Sequence, residues 1–251
     1  MEFSIVGDRD PFLLVRLQRG ESVYAESNAM VSMDATLDLK SEIRGGVLGA
    51  LGRKFTSGES LFTQRIEATR GAGEVLLAPG LPGDLQILDV AAGSQYILSD
   101  GAFLAAETTV ELKVKAQGIG KALFGGTGGF FVMQSQGAGK LVVGGFGSVF
   151  ALPIEAGNDV IIDNGHVVAW DAKLAYDVGL SINASQGFLG NLVNSVTSGE
   201  GIVTRFSGTG KVYVSSRNLD QLVRLMRAGG ASGGSAGTGN DLSTKGLLAR
   251  L

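Results

Sequence analysis

Cysteine is absent from the 251 residues and histidine occurs once, at His166. The first absence removes disulfides and thiolate chemistry, and is consistent with a reducing cytoplasm. Together the two leave no common zinc ligand set, and any Ser-His mechanism would have to use His166 itself. Four prolines and no basic excess complete the shortages: 21 Lys and Arg stand against 24 Asp and Glu, a formal charge of −3. Bulk electrostatics therefore gives no pull toward a nucleic acid. The start, "MEFSIVGDRD", has neither a basic segment nor an apolar run, so it does not read as a signal peptide and the chain is expected to be cytoplasmic. Residues 122–154 carry one charge, Lys140, but are broken by glycines and Pro153. Their alternation, in "FFVMQSQ" and "KLVVGG", predicts strands rather than a spanning helix.

What is abundant is glycine, 40 residues with no Gly-X-Y period. Turn signals recur with it. "SGESLF" at 57, "TGGFF" at 127 and "SGEGIV" at 198 are each followed by a Gly-x-Gly: "GAGEVLL" from 71, "GAGKLVV" from 137 and "GTGKVYV" from 208. A second pattern precedes each: "GESVYAESN" from 20, "GSQYILSDG" from 93 and "GNDVIIDNG" from 157, continuing as "AMVSMD", "AFLAAE" and "HVVAWD". Both patterns read as hairpins, since Asn and Gly supply the positive φ that tight turns need. Two anchors recurring in one order predict an all-β protein of three tandem, similar antiparallel units, 1–84, 85–149 and 150–218, of sandwich or barrel type. Units of about 70 residues are marginal alone and should pack on one another. Residues 219–227 predict a short amphipathic helix through Leu219, Leu222, Val223 and Met226, followed over 228–251 by a glycine-rich linker and tail.

Candidate functional residues are few. Each unit has an apolar, glycine-rich connecting segment, with Leu48 and Leu51 in the first, Leu123 and Phe124 in the second, Leu189 and Leu192 in the third. These are expected to pack within the chain or against another subunit, with membrane or ligand contact as the alternative. Glu59 and Glu200 occupy equivalent positions, where the middle copy has Gly129, and would serve acid–base work only if packing brought them together. The "QGAGKL" around Lys140 is no phosphate loop, because Gln134 and Leu141 stand where glycine and Ser/Thr are required. His166, Asp163 and Asp171 read as turn residues, and Trp170 as core or interface. No cofactor, metal site or catalytic residue is predicted. The inventory is that of a non-enzymatic protein.

The landmarks "ESVYAESNAMVSMD", "LAPGLPGDL", "GAFLAAE", "VVAWD" and "SGEGIVTRFSGTGKVYVSSRNL" resemble the mitochondrial biogenesis family named for altered inheritance of mitochondria, member twenty-four type, from residue 1 to about 220. "GGTGGFF" departs from it, with glycine where many relatives have Glu. The resemblance implies β units like those of the tryptophan RNA-binding attenuation protein and a homotrimer arranging nine units in a ring. It transfers no catalytic residue. The implied function is an oligomeric scaffold or interaction protein; nucleic-acid binding, by analogy with that fold, and peripheral membrane association are the alternatives.

Overall fold

The computed structural model describes residues 1–43, 62–116, 131–180 and 202–230. All four stretches contain β-strands, as the alternation of apolar residues predicts, and the one α-helix among the described residues ends the last of them. β1 (Glu2–Val6) stands first. A group of six follows: β2 (Phe12–Leu17), β3 (Ser22–Glu26), β4 (Met30–Met33), β5 (Asp38–Ile43), β6 (Phe62–Glu67) and β7 (Gly73–Leu77). The next six are β8 (Gly83–Val90), β9 (Tyr96–Ser99), β10 (Phe103–Glu107), β11 (Val110–Ala116), β12 (Phe131–Gly137) and β13 (Gly139–Phe146). The last six are β14 (Val149–Ile154), β15 (Val160–Asp163), β16 (Val167–Asp171), β17 (Ala175–Leu180), β18 (Ile202–Ser207) and β19 (Gly210–Ser215), with a 3-10 turn, Asn164–His166, before β16. The helix α1 is Leu219–Gly230, and the Asn218 side chain accepts the Asp220 N–H at 2.9 Å as its N-cap.

The strands form four antiparallel sheets with the orders β1-β2-β7-β4, β5-β6-β3-β10-β13-β8, β11-β12-β9-β16-β19-β14 and β15-β18-β17. The third order is the second with every label raised by six. The first and last sheets are the two halves of that same order, β1 being an addition beside β2.

Three apolar clusters fill the spaces between successive sheets. The first joins Leu13, Val15 and Leu77 to Ile66, Leu104 and Val142. The second includes Leu88, Leu141, Leu98 and Ala169. The third holds Trp170, Phe206, Ile154 and Val212. Burying each such side chain stabilises the fold by roughly 1.5–3 kcal/mol.

The Gly-x-Gly turns and the turns at Asn28, Gly101 and Gly165 fall between strands but do not make hairpins; the turn signals that begin at 57, 127 and 198 lie outside the described residues. β12 and β13, joined through Gly137, belong to different sheets, and so do β3 and β4, joined through Asn28. Each predicted hairpin is a corner at which the chain leaves one sheet for the next. Corner and hairpin make the same local demand, a positive φ, met by Asn28 (69°) and Gly137 (93°). Local sequence therefore marks the reversal without specifying the partner.

The second glycine of the Gly-x-Gly has a different reason. A Cβ on Gly73, Gly139 or Gly210 would lie 2.6–2.8 Å from Thr36 Oγ1, from Glu107 Oε2 and Thr109 Oγ1, or from Asp171 Oδ2. At two of these corners the acid ending the "MVSMD" and "VVAWD" strands accepts the next backbone N–H, Glu74 to Asp34 Oδ2 and Lys211 to Asp171 Oδ2, both at 2.9 Å. The acid needs a bare backbone to reach it.

Candidate interaction surface

The repeated order assigns every strand a set of neighbours. In the second sheet β3 pairs with β10, and in the third β9 pairs with β16, so a strand of one group of six is joined to a strand of the next. The registers match. Ala25 faces Ala105 and Tyr24 faces Ala106; Leu98 faces Ala169 and Ile97 faces Trp170. Two strands are left without this neighbour: β4, the counterpart of β10 and β16, and β15, the counterpart of β3 and β9. Each is the last strand of its sheet.

The unpaired strands have the apolar character of their paired counterparts without the burial. Val31 in β4 is 52% exposed, where Leu104 and Val168 are 1% and 4% exposed. Ile161 in β15 is 58% exposed, where Tyr24 and Ile97 are 8% and 5% exposed. β4 even keeps the same irregularity: its register shifts between Met30 and Ser32 against β7, as β10 shifts between Phe103 and Ala105 and β16 between Val167 and Ala169. One extra residue, the mark of a β-bulge, thus recurs at the equivalent place in all three strands.

Open sheet edges invite pairing, and proteins blunt them with charge or proline. The six other edge strands follow this practice: Glu2 in β1, Lys40 in β5, Asp84 and Asp89 in β8, Lys113 in β11, Pro153 in β14 and Asp177 in β17. β4, "MVSM", has no such residue, and β15, "VIID", has only its terminal Asp163. That carboxylate is engaged with its own turn, accepting Gly165 N–H at 2.9 Å.

Of the residues singled out by sequence, Leu48, Leu51, Glu59, Leu123, Phe124, Leu189, Leu192 and Glu200 lie outside the described residues, as does the tail beyond 230. His166 is a turn residue as expected, its Nδ1 2.8 Å from the Ser215 carbonyl oxygen. Trp170 is in the core, edge-to-face with Tyr176 and Phe206 at 5.1 and 5.5 Å between ring centres. Lys140 lies on β13 in an ion pair with Asp89, clear of any phosphate cradle. Among the described residues no three His, Cys, Asp or Glu side chains gather as metal ligands.

Among the described residues one carboxyl group departs strongly from ordinary behaviour. Burial at the end of β3, with the Asp100 charge adding to it, pushes Glu26 up to about 7. Sequence reading passed over Glu26 because its burial comes from strands remote in the chain. It passed over the edges β4 and β15 for the opposite reason: their residues match those of buried strands, and only their place at the two ends of the array exposes them.

Comparison with known proteins agrees with this architecture. The model of the family described as mitochondrial biogenesis AIM24 matches residues 3–217. The chain belongs to the AIM24 family. An uncharacterized protein of Streptococcus pyogenes serotype M6 is 38% identical over 223 residues, 86% of each chain. An X-ray structure of a Streptococcus pyogenes protein superposes with a TM-score of 0.72 at 35% identity, covering 90% of this chain and 98% of that one. Among the described residues of this AIM24-family chain, no helix is long and apolar enough to cross a membrane.

Proposed function

We propose that this AIM24-family protein is a non-enzymatic scaffold, a cytoplasmic homotrimer that displays three similar β units per chain to protein partners. The units are 1–84, 85–149 and 150–218, related as in the attenuation protein, and nine of them complete the assembly. The observation that carries this reading is the period of six strands in the sheet order. It puts the same corner at three places along one chain and leaves the array open at both ends. The turns just before β3, β9 and β15 illustrate the equivalence: Glu21 N–H donates to Gln18 O, Ser94 N–H to Ala91 O and Asn158 N–H to Glu155 O, at 2.9, 2.9 and 3.0 Å. Three equivalent faces, multiplied by oligomerisation, let weak single contacts add to strong binding. The nucleic-acid alternative finds less support: among the described residues no Lys- or Arg-rich row recurs in all three units to face a phosphate backbone.

Light scattering tests the assembly, and affinity capture from native lysate tests the scaffold role. A mass three times that of the chain, with a protein captured stoichiometrically, supports the reading. A monomer at micromolar concentration, or turnover of a small substrate by the purified protein, contradicts it.

A further inference from the structure

We infer that β15 of one chain pairs with β4 of the next, so that the last sheet of one molecule and the first sheet of another become a single sheet. This rests on the oligomeric reading above and specifies the surface that makes it. The joined order would run β17-β18-β15 and then β4-β7-β2-β1 of the neighbour. Apart from the added β1, that is the order of the two complete six-stranded sheets. The occupant of each edge is a second copy of this chain because the chain already contains this junction twice, β3 with β10 and β9 with β16, both antiparallel.

The internal junctions also dictate the register. Ala25 and Leu98 correspond to Ile162, and Ala105 and Ala169 to Ser32. Ile162 should therefore face Ser32 of the neighbour, Ile161 should face Met33, and Val160 should face Asp34. This alignment seats exposed Val31 and Ile161 in positions whose counterparts are buried. It also removes from water the two edges that have least charge to protect them. The contact is heterologous, with different surfaces on the two sides, so repetition closes a ring or grows a filament according to the rotation per chain.

Native cysteine is absent, so engineered thiols report the junction without background. Residues opposite each other on antiparallel strands have Cα atoms about 4.5–5.5 Å apart, within disulfide range. Full-length Met33→Cys and Ile161→Cys chains are oxidised separately and after mixing under conditions of subunit exchange. Covalent dimers in the mixture alone are the expected result, and the double variant M33C/I161C should cross-link into larger closed species. Cross-linking within either single variant would mean like edges pair and would overturn the inference. Oligomers by light scattering with no cross-link in the mixture would overturn the edge assignment but leave the scaffold reading standing, whereas monomers would overturn both. Far-UV circular dichroism verifies folding. As a second variant, Ile161→Lys on the exposed edge should leave the β signal unchanged and shift the mass to a single chain; an intact oligomer would count against the inference.

Discussion

Glu26→Gln isolates the electrostatic cost of one buried carboxyl group. The group moves from its ordinary value of 4.5 to about 7, chiefly through burial and secondarily through Asp100. At about 1.4 kcal/mol per pH unit, that displacement disfavours the charged form in the fold by on the order of 3 kcal/mol. Between pH 4.5 and 7 the folded chain holds a proton that the unfolded chain has released. Stability from this group therefore falls as pH rises through that window and levels off above about pH 7. Glutamine is neutral throughout and lacks the fall. Urea unfolding of wild type and E26Q at one chain concentration should give similar stabilities at pH 5, within about 1 kcal/mol, and a variant more stable by roughly 3 kcal/mol at pH 8. Fixing the concentration matters because assembly raises apparent stability. Asp100→Asn should recover a smaller share, since it removes only the second cause. An E26Q advantage that is the same at both pH values would refute the reasoning, because a packing effect has no reason to follow this titration.

Two further substitutions test the architecture. Gly83→Ala would place a Cβ 1.8 Å from the Gly145 carbonyl oxygen, a backbone clash that no side-chain rotation relieves, so the variant should be recovered unfolded or not at all; a soluble variant with wild-type unfolding midpoint would show that β8 does not lie against β13 in this way. Trp170→Ala empties the largest buried side chain of the third cluster and should cost about 3–5 kcal/mol in urea unfolding; a loss below 1 kcal/mol would place the indole outside a packed core.

How much of this was legible depends on whether the cause is local. The missing Cβ at Gly73, Gly165 and Gly210 makes room for residues distant in the chain, whereas Asn28, Gly101, Gly137 and Gly208 mark corners because a positive φ is a local demand of the backbone. Strand identity and the amphipathic α1 were legible on the same ground. Pairing was not. β3 finds β10 some eighty residues away, and a turn that would serve a hairpin serves a change of sheet equally well. The apolar connecting segments drew attention through composition, yet Leu48, Leu123 and Leu189 lie outside the described residues. The surface that emerged instead is written in "MVSM" and "VIID", which differ little in character from the buried "FLAA" and "YILS". Exposure there is a property of being at an end.

Hydrogen exchange at those two ends tests the central claim most directly, because an edge amide is protected only if another strand covers it. Peptides spanning 29–34 and 159–164 should exchange as slowly in the assembled wild type as the peptide spanning 102–107. Both should lose protection together on dilution to single chains, while 102–107 keeps its own. Rapid exchange of both end peptides in a protein that light scattering shows to be oligomeric would contradict the account, since it would mean the chains associate without joining their sheets.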